Sequence, residues 1–376
     1  MTNFATRQRF TFAKSNKKMK NRSVLAPLTH NMSADNGDLS EQEIAWLKKC
    51  SEGGFGMIIT AATSVSMTGR SWKGQPALIT GAQQEKFARI AKNAKQYNAL
   101  AIVQLHHGGI RTAHQFSTDK AVSPSHHAAN KHHPEGVREV AANEIETLIS
   151  DFVSSSKRAY LAGMDGVEIH AAFNFLLSNF SNPLLNKRSD QWGGSFENRN
   201  RIIFDIVSRI RTQVPRDFII GVRLSPENYA HFCGIEIEEQ LQLSNTLNEL
   251  DIDYIHMSLH DSFKKPNHLP DGKLTLLEWI KMKLNPEITL IIAGNISDVE
   301  DADKVISQGA DLVAIGKAAV GNPEWVNQIN AGIAAIKPPY TAFHLSAIGF
   351  TTAAIGYMRG VSGLVDESES PLEALA

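Results

Sequence analysis

The feature that most restricts the fold of this chain is a regular alternation of short apolar runs with longer amphipathic segments. Most of the runs are nearly continuous in Val, Ile and Leu, which is typical of parallel strands buried on both faces. Eight strands, each followed by a helix, are the number that a (β/α)8 TIM barrel requires. The predicted strands are Ser23–Pro27, Met57–Ala61, Ala101–Leu105, Val167–His170, Phe218–Arg223, Tyr254–Met257, Thr289–Ala293 and Leu312–Ile315.

Helix start signals lie between these runs. Ser40-x-x-Glu43, Thr80-x-x-Gln83 and Ser297-x-x-Glu300 have the spacing of capping boxes. Asn322-Pro323-Glu324 would begin another helix, with Pro323 at the first helical position. Apolar spacing predicts four further helices, at Ile145–Ala162, Glu197–Val214, Glu236–Leu250 and Lys273–Leu284.

A doubly wound open sheet is the alternative arrangement. It would normally carry a glycine-rich turn after its first strand, and neither G-x-G-x-x-G nor G-x-x-x-x-G-K-[ST] occurs in the sequence. The sequence therefore favours an α/β barrel as one domain over residues 1–376, with the barrel core at about residues 20–335. We expect the polar segment Thr112–Asn143, which follows the third strand, to form a lid over the C-terminal mouth. Residues 340–376 are expected to form a helical tail with a fraying acidic end from Asp366.

Composition excludes several classes of function. The formal net charge of −1 gives no reason to expect nucleic acid or an anionic membrane as a partner. No apolar run approaches the roughly 18 residues of a membrane span, and the basic N-terminus lacks the apolar core of a secretory signal. Cys50 and Cys233 are too few for a four-cysteine iron–sulfur cluster, and we expect both to be buried thiols of a cytoplasmic protein. Homo-oligomer formation is left open.

Polar residues stand at the C-terminal ends of the predicted strands, where barrels carry their chemistry. Gly294-Asn295 and Gly316-Lys317 follow the last two strands, which is the common position of a phosphate site. The amide of Gln104 suits the O4/N3 edge of a flavin ring, and Arg223 could face the N1–C2=O region, where a reduced flavin carries its charge. His106-His107 end the third strand, and His170 ends the fourth. Each of these residues alone is more often structural, so the argument depends on all of them falling at successive strand ends.

Seven segments, in collinear order over roughly residues 9–330, resemble the old yellow enzyme group of NADH:flavin oxidoreductases, which are FMN-binding (β/α)8 barrels. They are Lys20-Asn21-Arg22; Ala26-Pro27-Leu28-Thr29; Gln104-Leu105-x-His107-x-Gly109; Gly166-x-Glu168-Ile169-His170-Ala171-Ala172, continuing through Asn182-Pro183, Asn186, Arg188 and Asp190 to Gly193-Gly194-Ser195-x-Glu197-Asn198-Arg199; Val222-Arg223-Leu224-Ser225; Ala293-Gly294-Asn295-Ile296; and Ile315-Gly316-Lys317 with Asn322-Pro323.

The resemblance implies a cofactor and a reaction. It implies a ping-pong cycle in which NADH or NADPH gives hydride to flavin N5 and leaves, and a small-molecule acceptor, such as an activated alkene or a quinone, then takes its place. Thr29 corresponds to the family's residue near flavin O4. The residues implied to bind FMN are Pro27, Leu28, Thr29, Ala62, Gln104, Arg223, Gly294, Asn295, Gly316 and Lys317.

The sequence departs from the family at the acceptor site. The family holds the acceptor's carbonyl oxygen with two side chains, and a nearby Tyr protonates the α-carbon. Here His170 is retained as the catalytic residue, whereas Phe173 and Phe175 occupy the second carbonyl-binding position and the Tyr position. A phenyl ring has neither a hydrogen-bond donor nor a proton to give, so we expect enone reduction to be impaired and nicotinamide oxidation to be less affected.

Several alternatives stay open at this point. A one-residue slip could give Asn174 the donor role, and Tyr229 is a distant candidate for a replacement acid. Phe173 and Phe175 could either form an aromatic wall for a flat acceptor or merely fill space. The chain could also be a flavin-binding sensor or scaffold with little turnover.

Other polar residues are assigned structural roles. His126-His127 and His132-His133 have no carboxylate or Cys at ligand spacing, so no metal site is predicted. His256 lies within a strand and is predicted to be structural. Lys187, Arg188 and Asp190 are expected to fix their loop by ion pairs.

Overall fold

The fold is described from a computed structural model that covers residues 4–113, 120–131, 133–228 and 233–366. Eight parallel strands form its centre, and their order along the chain is their order around the sheet. They are β1 (Ser23–Leu25), β2 (Met57–Ile59), β3 (Leu100–His106), β4 (Gly166–Ala171), β5 (Ile219–Leu224), β6 (Tyr254–Ser258), β7 (Thr289–Ala293) and β8 (Leu312–Ile315).

The sheet closes into a barrel because β1 pairs with both β2 and β8. At this seam Ser23 lies opposite Val313, and Val24 lies opposite Met57. All eight predicted strands and the predicted (β/α)8 architecture are confirmed. The strand ends differ slightly from the prediction, since β1 ends at Leu25 and β3 continues to His106.

Helices follow the strands and cover the outside of the barrel. They are α1 (Glu41–Glu52), α2 (Gly81–Gln96), α3 (Ala142–Leu161), α4 (Phe196–Gln213), α5 (Ile237–Glu249), α6 (Leu276–Lys283), α7 (Val299–Ser307) and α8 (Trp325–Asn330). A large apolar core lies between these helices and the strands. The predicted capping box at Thr80 and Gln83 is confirmed at the start of α2.

Three predicted helix starts need correction. Ser40 accepts from the Glu43 N–H, but the Glu43 side chain contacts Ser33 and does not close a capping box. Helix α7 is capped by Asp298, whose carboxylate accepts from the Asp301 N–H at 3.1 Å, one residue later than expected. Helix α8 begins at Trp325, with Pro323 in the preceding turn; the Asn322 side-chain oxygen does not cap it, because that oxygen accepts from the Ile336 N–H at 2.9 Å.

The N-terminal end of the barrel is plugged. A hairpin of Phe10–Thr11 and Lys18–Met19 brings Phe12 and Met19 into a second apolar cluster with inward residues of the strands. The Ser15 N–H donates to Asp253, which directly precedes β6, at 3.0 Å. The plug leaves the C-terminal mouth as the place for a ligand, as in barrels generally.

Two segments flank that mouth. Within the described residues, the predicted lid contains a parallel pair of two-residue strands, Val122–Ser123 and Arg138–Glu139. Two further helices, α9 (Ala342–Ala347) and α10 (Thr352–Arg359), form the predicted helical tail up to Asp366. The acidic end beyond Asp366 lies outside the described residues, and the single-domain assignment stays a prediction.

Three smaller predictions concern cysteines, metals and membranes. Cys50 is buried as expected, but Cys233 is exposed in the loop before α5, so the prediction for Cys233 was wrong. Within the part of the chain that the structure describes, no group of three or more His, Cys, Asp or Glu side chains could hold a metal ion; His132 lies outside that part. The helices of the same part include none that is long and apolar enough to cross a membrane.

Candidate active site

Two adjoining cavities open at the C-terminal ends of the strands and share Pro27, Phe173 and Arg223 as lining residues. Their volumes are about 680 Å³ and 410 Å³. The larger one is also lined by Leu28, Gly294, Asn295, Gly316 and Lys317. The smaller one is also lined by Thr29, Ala62, Gln104, His170 and Phe175. Every residue that the sequence predicted for the cofactor or acceptor therefore lines one cavity or both.

The loops after β7 and β8 form one end of the larger cavity. Gly294 has a φ of +153°, and a Cβ added there would lie 2.5 Å from the Leu259 carbonyl oxygen. The Gly294 carbonyl accepts from the Ser262 hydroxyl at 2.7 Å, which fixes the loop. Gly316 is open, with no atom within 3.8 Å of an added Cβ, and Lys317 Nζ donates to the Ser362 carbonyl at 3.1 Å. Exposed backbone and an ammonium group together suit an anion such as a phosphate.

Arg223, at the end of β5, lies where the two cavities meet. One of its guanidinium nitrogens donates to the Ser258 hydroxyl at 2.8 Å. Its Cζ lies 5.1 Å from the centre of the Phe173 ring, which is a cation–π distance. These contacts hold a permanent positive charge against the middle of the site.

Gln104 is held by a buried carboxylate, Glu168, that sequence reasoning missed. Gln104 Nε2 donates to Glu168 at 2.7 Å, and Glu168 also accepts from His256 Nδ1 at 2.9 Å and from Tyr254 at 3.1 Å. Burial alone would raise the pKa of Glu168, but His256, with help from Arg223 and Gln104, holds that pKa below its ordinary value. His256 is fully buried, as its structural role requires. Glu168 could have been found in the sequence as a charge inside an apolar strand.

Two histidines and a serine form a hydrogen-bonded chain beside the smaller cavity. His170 Nδ1 lies 3.0 Å from His106 Nδ1, and His106 Nε2 lies 3.1 Å from Ser71 Oγ. His170 Nε2 is buried and has no hydrogen-bond partner among the described residues, although the ring lines the cavity. Burial holds the pKa of both imidazoles well below the ordinary value, aided by the nearby charge of Arg111. Both rings are therefore neutral at pH 7.

Phe173 and Phe175 surround His170 with apolar rings. The Phe175 ring centre lies 5.0 Å from that of His170 and meets the His106 ring edge-on at 4.3 Å. The Phe173 ring centre lies 5.9 Å from that of His170. Arg111 covers the outer face of Phe175 with its Cζ 4.4 Å from the ring centre.

The two alternative donors considered from the sequence have different outcomes. Asn174 has a φ of +58°, its side-chain oxygen accepts from Asn179 Nδ2 of the short helix Leu176–Ser181 at 3.0 Å, and it is not among the residues that line either cavity. This geometry does not favour the slip that would make Asn174 a carbonyl donor. Tyr229 lies outside the described residues.

Four lining residues of the smaller cavity were missed by sequence reasoning. Ser71 and Trp72 come from the loop after β2, Arg111 follows β3, and Tyr357 comes from α10. Burial raises the pKa of Tyr357, against a hydrogen bond with Thr29 and the charge of Arg111, so its phenol is protonated at neutral pH. Arg111 could have been found from its position after a strand end. No periodic or motif signal pointed to Tyr357, which lies beyond the recognised segments.

Comparison with known proteins gives consistent matches over the barrel. The family described as NADH:flavin oxidoreductase / NADH oxidase matches residues 11–335. A probable NADH-dependent flavin oxidoreductase of Bacillus subtilis is 33% identical over 328 residues, which are 86% of this chain and 87% of that protein. The NADH oxidase of Thermoanaerobacter brockii is 31% identical over 323 residues, and there the chain spans 84% of its own length but only 49% of the relative.

A solved structure shows the same architecture. The old yellow enzyme homologue from Zymomonas mobilis superposes with a TM-score of 0.78 at 25% identity. The match covers 94% of this chain and 98% of that chain.

Proposed function

Because the chain belongs to the NADH:flavin oxidoreductase / NADH oxidase family, an FMN-binding enzyme family, we propose that it passes hydride from NADH or NADPH through FMN to a small-molecule acceptor in two alternating half-reactions. The main support is that the ten residues expected at FMN line two adjoining cavities at the barrel mouth. When bound, FMN supplies a carrier that takes a hydride from a nicotinamide and gives it to an acceptor.

The residues of the two cavities fit this cofactor. Gly294, Asn295, Gly316 and Lys317 offer open backbone and one ammonium group, which suit the phosphate. Arg223 offers a fixed positive charge near the ring, at the N1–C2=O region where a reduced flavin is anionic.

Gln104 and Ala62 suit the ring itself. Because one N–H of Gln104 Nε2 donates to Glu168, Gln104 retains its amide oxygen to accept from the flavin N3–H and a second N–H to donate to a flavin carbonyl. The small side chain of Ala62 leaves space for a flat ring system.

The acceptor binds against His170 in this proposal. The buried Nε2 of His170 donates a hydrogen bond to the acceptor's carbonyl oxygen, while Phe173 and Phe175 bound the same space with apolar rings. Loss of one donor of a pair typically lowers a rate by ~10²–10³-fold, so acceptors that need two donors are expected to react slowly. The rings form walls suited to a flat acceptor.

Reconstitution with FMN tests the proposal. We expect the protein to bind FMN in a one-to-one complex and the flavin absorbance to bleach when NADH or NADPH is added without oxygen. Lys317→Gln should weaken FMN binding more than riboflavin binding, because only FMN carries the phosphate, and riboflavin is therefore the matched control.

Two other outcomes have defined meanings. Bound FMN that neither nicotinamide reduces would contradict the reaction and support a flavin-binding sensor or scaffold. A colourless protein that does not take up FMN would contradict both functions.

A further inference from the structure

We propose that Ser71, His106 and His170 form a proton relay that delivers a proton to the carbonyl oxygen of a bound acceptor, so that the site favours quinones over simple enones. This inference rests on the proposed function, since it concerns the second half-reaction at the same site. His170 is the catalytic residue because it touches the acceptor, and His106 and Ser71 act through it.

The geometry of the three side chains is that of a continuous chain. The Ser71 hydroxyl and His106 Nε2 are 3.1 Å apart, and the two Nδ1 atoms of His106 and His170 are 3.0 Å apart. Two facing imidazole nitrogens can be joined only if one carries the hydrogen and the other accepts it. When His106 carries its hydrogen on Nδ1, His170 must carry its own on Nε2, which is the buried atom without a partner among the described residues.

The relay solves a charge problem that His170 alone would face. The pKa of both rings is held low by burial, and Arg111 and Arg223 add positive charge near His170, so His170 starts neutral. If neutral His170 gave away its Nε2 proton unaided, it would become an imidazolate in a buried site, which is a very unfavourable charge to create. In the relay, His170 takes the His106 proton at its own Nδ1 while it gives up its Nε2 proton. His170 therefore stays neutral, and so do His106 and Ser71.

The transfer balances in protons and electrons. If bound FMN supplied the hydride, it would add to the second carbonyl oxygen of a quinone or to the β-carbon of an enone, and the π electrons would move onto the first carbonyl oxygen. That oxygen would form an O–H bond as the Nε2–H bond of His170 breaks. His170 Nδ1 takes the Nδ1 proton of His106, His106 Nε2 takes the Ser71 hydroxyl proton, and Ser71 takes a proton from water. Ser71 and His170 both line the smaller cavity, so water can reset the chain after the product leaves.

Protonation at oxygen selects the acceptor class. A quinone that takes the hydride on one carbonyl oxygen and the proton on the other is already a hydroquinone. An enone that takes the hydride on its β-carbon and the proton on oxygen is an enol and still needs a proton on carbon. Phe175 and Phe173 have no proton to give to carbon. The Tyr357 phenol also lines this cavity, but it shares a hydrogen bond with Thr29, and burial raises its pKa, which makes it a weaker acid. The aromatic rings of Trp72, Phe173, Phe175 and Tyr357 line the same cavity and suit a flat quinone ring.

The first test separates the relay from simple positioning. Enzyme reduced beforehand with dithionite is mixed with 1,4-benzoquinone, and the return of flavin absorbance is followed. His106→Gln retains an N–H that can hold His170 in the same tautomer but does not relay a proton by tautomer exchange, so reoxidation should slow by about 10²-fold, at the lower end for a lost general acid. A rate equal to that of the wild type would overturn the proposal.

Ser71 provides a matched pair of variants. Ser71→Ala should slow reoxidation by quinone, and Ser71→Thr, which keeps the hydroxyl, should restore it. Ser66→Ala is the control, because the Ser66 hydroxyl accepts from the Gly69 N–H at 3.1 Å in the same loop but takes no part in the chain. Equal slowing in the Ser66 and Ser71 variants would mean that loosening of the loop, and not loss of a relay, causes the effect.

Two spectroscopic or isotopic readouts do not depend on turnover rate alone. Nitrogen-15 NMR of the flavin-free protein should show His170 with its hydrogen on Nε2 in the wild type and in His106→Gln. A plot of the rate of flavin reoxidation by quinone against the fraction of D2O should be curved for the wild type, because several protons move together. The same plot should be linear for His106→Gln. A hydrogen on His170 Nδ1, or a linear wild-type plot, would overturn the relay, whereas wild-type protein that nicotinamide does not bleach would overturn the proposed function instead.

Discussion

At the scale of single residues, His170 lines the smaller cavity and its buried Nε2 has no hydrogen-bond partner among the described residues, whereas Phe173 and Phe175 bring only apolar rings beside it. The positions of the two phenylalanines at the acceptor site could be predicted from the sequence, because the surrounding motif aligns with the family without a gap. Their consequence could not be predicted, since the Ser71–His106–His170 chain joins the loop after β2 to the ends of β3 and β4. The same limit applies to Glu168, whose three donors come from β3 and β6.

A hydroxyl introduced at Phe175 tests whether enone reduction is slow because no group protonates the α-carbon. Phe175→Tyr should raise the rate of flavin reoxidation by cyclohexenone by about 10²-fold, the lower end for one general acid. Phe173→Tyr is the control, because it adds the same hydroxyl at the other ring near His170. No gain in Phe175→Tyr, with the new hydroxyl seen against the acceptor in a crystal, would show that protonation of carbon does not limit the reaction.

At the scale of elements, the loops after the strands carry the site, and each loop is held by contacts of its own. The strands and most helices could be predicted from apolar spacing, because burial on both faces leaves a periodic signal. The cap of α7 at Asp298 and the approach of α10 to the mouth could not be predicted. The cap depends on which of two adjacent polar residues, Ser297 or Asp298, accepts from the first turn of the helix. The position of α10 depends on contacts between segments that are far apart in the sequence.

The loop after β7 should tolerate no side chain at Gly294. Gly294→Ala places a Cβ against the Leu259 carbonyl at a φ of +153°, so the backbone must move. Strain of about 1–3 kcal/mol, if released by moving the loop, corresponds to roughly 10- to 100-fold weaker FMN binding. Gly332→Ala is the control, since Gly332 also has a positive φ of +75° but an added Cβ meets nothing within 4 Å. Equal FMN affinity in the two variants, measured by fluorescence titration, would contradict this assignment.

Arg188 ties the lid to the loop after β4. Its guanidinium donates to the Pro124 and Val140 carbonyls at 3.0 and 2.8 Å and pairs with Asp190 at 2.6 Å. Lys187 instead donates to the Pro183 carbonyl at 2.9 Å, and among the described residues it does not form the expected ion pair.

Arg188→Ala should therefore speed hydrogen exchange in residues 120–125 and 137–140, measured by mass spectrometry. Arg209→Ala, which breaks an exposed pair with Glu146, should leave exchange in these residues unchanged. Unchanged exchange in Arg188→Ala would mean that the lid is held by other contacts.

At the scale of the whole molecule, several histidines are buried as neutral rings, and this makes stability depend on pH. Burial lowers the pKa of His107 to about 4, and it also lowers the pKa values of His106, His170 and His256. An unfolded chain binds protons at these residues below a pH of about 6.5, while the folded chain does not. Stability is therefore present above pH 6.5 and is lost as the pH falls towards the folded pKa values.

Urea unfolding at pH 7 and pH 4 measures this loss. His107 alone should account for about 3 kcal/mol at pH 4, from the interval between its two pKa values. The Gly109 N–H donates to His107 Nδ1 at 3.1 Å, and the side-chain oxygen in His107→Gln can accept in its place. Between pH 7 and pH 4 this variant should therefore lose about 3 kcal/mol less unfolding free energy than the wild type. The same loss in both proteins would contradict a buried neutral His107.

A double-mixing experiment on the FMN-loaded wild-type enzyme without oxygen tests the two half-reactions and the acceptor preference together. The enzyme is first mixed with NADH or NADPH and then, after the flavin has bleached, with either 1,4-benzoquinone or cyclohexenone. We expect bleaching in the first step, rapid return of the flavin absorbance with the quinone, and a return that is at least about 10²-fold slower with the enone, since that acceptor needs a proton on carbon. Absence of bleaching, or equally fast return with both acceptors, would contradict these expectations.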